Sequence, residues 1–274
     1  MPETERPKVF VHFLPSLVPP GALRGGVAVV LDVLRATTVM VHALASGCKA
    51  VIPCLEIEEA RELAGKLPRE SVVLAGERRG LPIEGFDLGN SPDAFTPEVC
   101  GGKTVVMTTT NGTRAILASL EAERILIAAF PNFAAIMQVL HLEWRDVHIV
   151  CAGTDGLISL EDSLLAGALA QHLKDMGALL SNDEAEIAAG AWSKIHNSLW
   201  YKSGDPEAES NPLVRYLTRG RGGRRVLELG LDADLAAAAR LNRSGHQLVA
   251  ELLRDPVRIV ASSNDAGLDR ANRG

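Results

Sequence analysis

Short apolar, β-branched runs recur along this chain at intervals of about 25 residues, and each is followed by a stretch with helical spacing. That alternation limits the fold more than any other feature. Val27 to Leu31 (VAVVL) is apolar throughout, as expected of a strand buried on both faces of a parallel sheet. Similar runs are Val9 to Leu14, Ala50 to Pro53, Ser71 to Ala75, Lys103 to Thr108, Arg124 to Ala129 and Val147 to Cys151. Helical patterns run from Thr38 through Ala45, over Glu56 to Leu67, from Arg114, over Asn132 to Leu142 and from Ser159. The fold class is therefore α/β: a mostly parallel or mixed sheet with helices on both faces, in three α/β/α layers. Beyond residue 180 the texture is more irregular. Glu184 to Tyr201, Asp232 to Asn242 and His246 to Leu253 read as helices, and Val257 to Val260 as an edge strand. Residues 1–260 are expected to form a single α/β domain, with a second lobe from about 180 left open, and 261–274 a disordered tail.

The 274 residues suffice for a well-buried core. Aromatic residues are only 4% of the chain and the net charge is −6, which argues against a base-stacking or phosphate-backbone surface for nucleic acid. A small phosphate ester remains compatible, because a divalent cation bridges acid to phosphate. No apolar run is long enough to span a bilayer, and MPETERPKVF has no signal-like apolar core, so no membrane partner is expected. The four cysteines form no CxxC pair and are read as reduced thiols of a cytoplasmic protein. A homo-oligomer is also an expectation.

Polar residues gather at the carboxyl ends of four apolar runs. Open parallel sheets bind ligands at that edge. The longest such segment, Gly76 to Pro92 (GERRGLPIEGFDLGNSP), reads as a loop with four glycines and two prolines. If the sheet is parallel, one rim collects Asp32, Arg35, Thr37 and Thr38; Glu77, Arg78, Asp87 and Asn90; Thr109, Thr110, Asn111 and Thr113; and Gly153, Asp155, Glu161 and Asp162. Asp32, Glu77, Asp87, Glu161 and Asp162 are candidate ligands for Mg2+, which takes hard oxygen donors and keeps some water. Asp32, Arg35, Glu77 and Asn111 are the candidate catalytic groups. Arg78, Asn90, Thr109, Thr110, Thr113 and Arg114 are candidates for binding an anionic substrate, through guanidinium forks and through hydroxyls and N–H groups ahead of a helix. Asp32 directly follows an apolar strand, where an unpaired carboxylate would be costly.

Plainer roles compete with these. Ser159-x-x-Asp162 resembles a capping box, Thr37 and Thr38 suit a helix cap, and Asn111-Gly112 suits a turn. Arg79 reads as a surface residue, and the five arginines between 215 and 225 read as a mobile basic turn, with an anion-gathering lid as the alternative. Several phosphate chemistries are excluded. Gly102-Lys103-Thr104 has Pro97 where a P-loop needs its first glycine, and a strand follows it. Asp32 has Leu34, not a second aspartate, two positions on. No cysteine has an arginine six positions later, and no HExxH spacing occurs.

Taken together and in order, DVLRATT, GERRGLPIEGFDLGNSP, TTTNGTRA and CAGTDGLISLED resemble the 2-phosphosulfolactate phosphatase (ComB) family over about residues 10–255. The resemblance implies an α/β fold and magnesium-dependent hydrolysis of 2-phosphosulfolactate to sulfolactate and phosphate, which in methanogens is a step of coenzyme M biosynthesis. A related small phosphorylated 2-hydroxy acid stays open as the substrate. The resemblance assigns no catalytic residues; those above rest on their chemistry. A non-catalytic anion-binding or regulatory protein is the alternative, and five candidate acids weigh against it.

Overall fold

The computed structural model describes residues 6–200 and 211–262. The strands are β1 (Lys8–His12), β2 (Val27–Leu31), β3 (Ala50–Cys54), β4 (Val72–Arg78), β5 (Leu81–Pro82), β6 (Thr104–Thr108), β7 (Arg124–Ala128), β8 (Val147–Cys151), β9 (Leu179–Leu180), β10 (Val249–Arg254) and β11 (Val257–Ser262). The helices are α1 (Ala36–Ala45), α2 (Ile57–Gly65), α3 (Pro97–Cys100), α4 (Gly112–Ala118), α5 (Phe133–His141), α6 (Leu160–Asp175), α7 (Asp183–Trp200), α8 (Pro212–Leu217), α9 (Arg221–Glu228) and α10 (Asp232–Ala238). No described helix is long and apolar enough to cross a membrane.

All the strands join one mixed sheet in the order β5-β4-β6-β3-β11-β10-β7-β2-β8-β1-β9. It contains two parallel blocks, β4-β6-β3 and β7-β2-β8-β1-β9. The β10–β11 hairpin lies between them, antiparallel to β7 on one side and to β3 on the other. Following the pairings across the hairpin, the two blocks run in opposite senses. A flat sheet would put their carboxyl ends on opposite edges. Sheet twist removes that conflict: the four steps from β3 to β2, at roughly 20–25° each, turn one block about 80–100° against the other.

One face of this coiled sheet wraps α1 and α4. Ala28 and Val30 of β2, Val105 and Met107 of β6, and Ala250 and Leu252 of β10 pack there with Val39, Met40 and Ile116. The opposite face is covered by α6 over the larger block, where Val29 and Leu31 meet Leu164 and Leu169, and by α2 over the smaller block, where Val72 and Val106 meet Ala60. Alternate residues of a strand thus enter different cores, as the two-residue side-chain period requires. Each fully buried leucine or valine contributes about 1.5–3 kcal/mol. The hairpin is clamped to β7 by a two-pronged ion pair, with Arg124 donating to both carboxylate oxygens of Glu251 at 3.0 and 2.9 Å.

The fold is the expected α/β arrangement with helices on both faces, and the strand positions follow the apolar runs closely. Four local expectations fail. His246 to Leu253 is not a helix: Val249–Arg254 is strand β10, with Val249 facing one core and Ala250 and Leu252 the other. β11 is an interior strand, not an edge, because β3 and β10 flank it. The central loop is partly ordered as strand, since β4 continues through Arg78 and pairs with β5. The basic turn contains helix α9, whose Gly222, Gly223 and Val226 are buried. The expected tail lies outside the described residues from 263 onward, as does Tyr201.

Candidate active site

Twist brings the strand ends of both blocks to one corner, where a cleft of about 590 Å³ opens. Asp32 and Arg35 come from the end of β2, Glu77 and Arg79 from the end of β4, Asn90 from the loop after β5, Thr109, Thr110 and Asn111 from the end of β6, and Thr154 and Asp155 from the end of β8. Contacts stitch these loops together. Within the smaller block the Thr110 N–H donates to Glu77 at 2.8 Å, and across the blocks the Asp155 N–H donates to Asn111 Oδ1 at 3.3 Å. Gly112 is needed for its small size: a Cβ there would lie 2.9 Å from Asp32 Oδ2 and 2.6 Å from the Ala36 Cβ.

The floor of the cleft is acidic. Asp32 is buried; its Oδ1 accepts the Ala36 N–H at 3.2 Å, which bends the chain from strand into α1. Thr37 and Thr38 serve that bend, their hydroxyls donating to the carbonyls of Asp32 at 3.0 Å and Val33 at 2.8 Å. Burial raises the Asp32 pKa well above the usual carboxylate range, and the negative charge of Asp162 raises it further, with Glu77 and Glu161 adding to this. Glu77 accepts the Gly80 N–H at 2.6 Å as well as that of Thr110.

Beneath the floor, Asp162 is a brace. It accepts the Val33 N–H at 2.8 Å, the Gly153 N–H at 3.0 Å and the Ser159 hydroxyl at 2.8 Å. It therefore holds the ends of β2 and β8 against the start of α6. Burial lifts its pKa to about 6 in spite of those donors. Glu161 is buried beside it, and burial followed by the Asp162 charge lifts its pKa to about 8. Glu161 Oε2 has no hydrogen-bond partner among the described residues; nor do Asn90 Oδ1 and Thr110 Oγ1.

The cleft's other wall is basic and comes from late in the chain. Arg221, Arg224 and Arg225 of α9 line it together with Asp32 and Glu77. Arg79, at φ 54°, joins them, and its carbonyl accepts from Arg225 at 3.3 Å. Arg35 lines the cleft yet is fully engaged. Its guanidinium donates to Asp234 of α10 at 2.5 Å, to the Gly80 carbonyl at 2.9 Å and to Ser91 at 3.3 Å. It ties the end of β2 to the central loop and to α10.

Of the residues singled out in the sequence, the cleft brings together Asp32, Arg35, Glu77, Asn90, Thr109, Thr110, Asn111 and Asp155. The other candidate site residues lie elsewhere. Arg78 turns to the Thr108 hydroxyl and the Leu55 carbonyl, at 2.9 and 3.1 Å. Asp87 forms a two-pronged pair with Arg69 and accepts the Leu74 N–H; burial opposes its ionisation, but Arg69 and that N–H together hold its pKa low. Thr113 is buried with its N–H directed at Thr109 Oγ1, Arg114 is exposed, and Glu161 and Asp162 sit behind the floor. Asp234 was not singled out: an aspartate in the first turn of a helix reads as a dipole-compensating residue. Nothing local reveals that it pairs with an arginine 199 positions earlier.

A polar cleft at converging strand ends, acidic on one wall and basic on the other, is the kind of site an α/β enzyme uses for a small anion. Comparison with known proteins is more specific. The family profile described as 2-phosphosulpholactate phosphatase matches residues 12–251. A "Probable 2-phosphosulfolactate phosphatase" of Synechococcus sp. (strain CC9605) is 43% identical over 231 residues, 82% of this chain and 89% of that protein. The protein of the same description from Caldanaerobacter subterraneus subsp. tengcongensis is 39% identical over 207 residues, 76% of this chain and 80% of its own length. That from Synechococcus sp. (strain WH7803) is 38% identical over 248 residues, 90% of each chain. This chain belongs to the 2-phosphosulfolactate phosphatase family, a family of phosphoric monoester hydrolases.

Proposed function

We propose that the protein is a magnesium-dependent phosphatase that converts 2-phosphosulfolactate, or a closely related small 2-phospho acid, to the 2-hydroxy acid and inorganic phosphate. The observation that carries this reading is Asp32: a buried carboxylate at the floor of a cleft whose opposite wall carries guanidinium groups. In the reaction the bond between phosphorus and the C2 oxygen breaks, and a bond from phosphorus to a water oxygen forms. One water proton ends on the leaving alkoxide. Asp32 is placed to take the proton as water attacks. In the metal-free cleft, burial and the neighbouring carboxylates raise the proton affinity of Asp32 above that of an exposed aspartate. Arg79 and the Thr109 and Thr110 hydroxyls face the space where charge builds on the phosphoryl oxygens.

The donor set suits magnesium. Every candidate is a hard oxygen, and two oxygens on the cleft wall, Asn90 Oδ1 and Thr110 Oγ1, are buried without partners. Among the described residues no group of three or more His, Cys, Asp or Glu side chains is placed to hold a metal ion by itself. Magnesium does not require one, since it is held by one or two carboxylates together with water and substrate phosphate. Asp32 and Glu77 would hold it. Bound there, it would polarise the phosphoryl group and offset the crowding of acids.

The test is phosphate release from 2-phosphosulfolactate and 2-phospholactate, with magnesium and with EDTA. Magnesium-dependent release is the expected result. No release from either, accompanied by ligand-induced thermal stabilisation, would replace catalysis with anion binding.

A further inference from the structure

Helix α9 holds two positive charges that nothing in the described structure neutralises. Of its three arginines, Arg225 pairs with Glu228 of the same helix at 3.4 Å. Arg224 donates to the Arg219 carbonyl, and neither it nor Arg221 forms an ion pair among the described residues. Positions 221 and 224 are three apart, so both side chains lie on one helix face. That face lines the cleft. Like charges so placed repel each other, and an anion between them would relieve the repulsion.

The helix is also fixed in place, which an incidental basic surface would not require. Its first turn presses onto the brace beneath the floor. A Cβ on Gly222 would lie 1.9 Å from Glu161 Oε1, and one on Gly220 2.6 Å from Glu161 Oε2. A Cβ on Gly223 would meet the Leu217 carbonyl at 2.0 Å. At its other end, Leu229 closes on Gly80, where a Cβ would be 2.6 Å away, and Arg225 donates to the Arg79 carbonyl. Glycines at these contacts let the helix settle directly onto the acidic brace and the central loop. The helix that carries the arginine pair is thereby held against the cleft.

We infer that Arg221 and Arg224 form a distal anion subsite, which binds the acid groups of the substrate that do not react and so selects for esters carrying two of them. This rests on the phosphatase reading for the position of the reacting phosphate. The floor, already crowded with carboxylates, repels a carboxylate or sulfonate, so such groups are directed to the α9 wall. Two guanidinium groups match two acid groups, each through charge-assisted, fork-like hydrogen bonds.

The experiment compares Arg221→Gln, Arg224→Gln and the double variant on three esters: 2-phosphosulfolactate with two further acid groups, 2-phospholactate with one, and phenyl phosphate with none. The expected loss is in KM rather than kcat and is graded by acid count. For the double variant it is about 10–100-fold on the di-acid, smaller on the mono-acid and weakest on phenyl phosphate. Arg224→Lys should recover part of the loss, because charge returns without the planar fork. Equal losses on all three esters, or none, would overturn the subsite. Calorimetric binding of 3-sulfolactate separates this outcome from failure of the phosphatase reading. If wild type binds it and the double variant does not, the subsite stands even without turnover. If both bind equally, the subsite is wrong even where phosphate is released.

Discussion

The two walls of the cleft are built in opposite ways. The acidic wall grows out of buried strand ends, and its carboxylates are held by backbone N–H groups within a few residues or across a neighbouring loop, Asp32 by Ala36 and Glu77 by Gly80 and Thr110, while Asp162 of α6 behind them is held by Val33 and Gly153. The basic wall is one surface helix, more than 180 residues later than Asp32 in sequence, with exposed side chains that few contacts restrain. The difference separates the work of the site. Chemistry needs atoms fixed to a fraction of an ångström, which a strand end inside a core supplies. Choice among anions needs charge at the right height, which a docked helix with flexible arginines supplies.

This contrast makes predictions that differ wall by wall. Asp32→Asn should lower kcat by about 10²–10⁴-fold with the thermal transition nearly kept, measured by phosphate release and circular dichroism. Turnover near wild type would remove Asp32 from the chemistry. Asp234→Ala strikes the joint between the walls. It leaves the buried Arg35 guanidinium without its carboxylate, and denaturant unfolding should show a loss of about 3–5 kcal/mol. Gly222→Ala should displace α9 from Glu161, costing about 1–3 kcal/mol and raising KM for the di-acid more than it lowers kcat.

The smallest effect concerns pH. The Glu161 pKa is raised in the folded protein, so the folded state binds the proton more tightly than the unfolded chain does. Its contribution to stability is complete below the ordinary glutamate range and is lost as pH rises toward about 8. In EDTA, stability should decline through that window by up to about 1.4 kcal/mol per pH unit. Glu161→Gln should flatten the slope, and magnesium should do so as well if the ion settles near these acids. A wild-type slope unaffected by the Gln substitution would show that the charge of Glu161 is not suppressed.

The acidic wall was legible in the sequence, and the basic wall only as a second reading. Asp32, Glu77 and the 109–111 run each follow a strand whose apolar composition marks it as buried, so a polar residue at its end stands out. The same rule over-reached at Asp87, which follows β4 in sequence but serves a local turn with Arg69. Arg221 and Arg224 left an anion-gathering role only as the second reading, because an arginine-rich stretch looks alike whether it faces bulk water or a cleft. The C-terminal strands were misread for a related reason. Residues 246–253 carry apolar groups at spacings that fit a helix, and only the neighbours β7 and β11 settle them as strand. The opposed senses of the two blocks were also hidden, since direction in a sheet is a property of pairing and not of any one strand.

The position of the β10–β11 hairpin has a consequence for assembly. Residues 249–262 are synthesised after every other strand, yet they occupy the middle of the sheet. Until they arrive, β7 and β3 are open edges, each with a row of backbone groups awaiting a partner. The two halves of the site are then joined through α1 and α4 but by no strand pairing. Pairing across such sequence separations is slow, and the waiting edges are prone to join other chains. Chains stopped before residue 249 should therefore aggregate, whereas a peptide spanning 249–262, added in excess during refolding, should compete for the same slot.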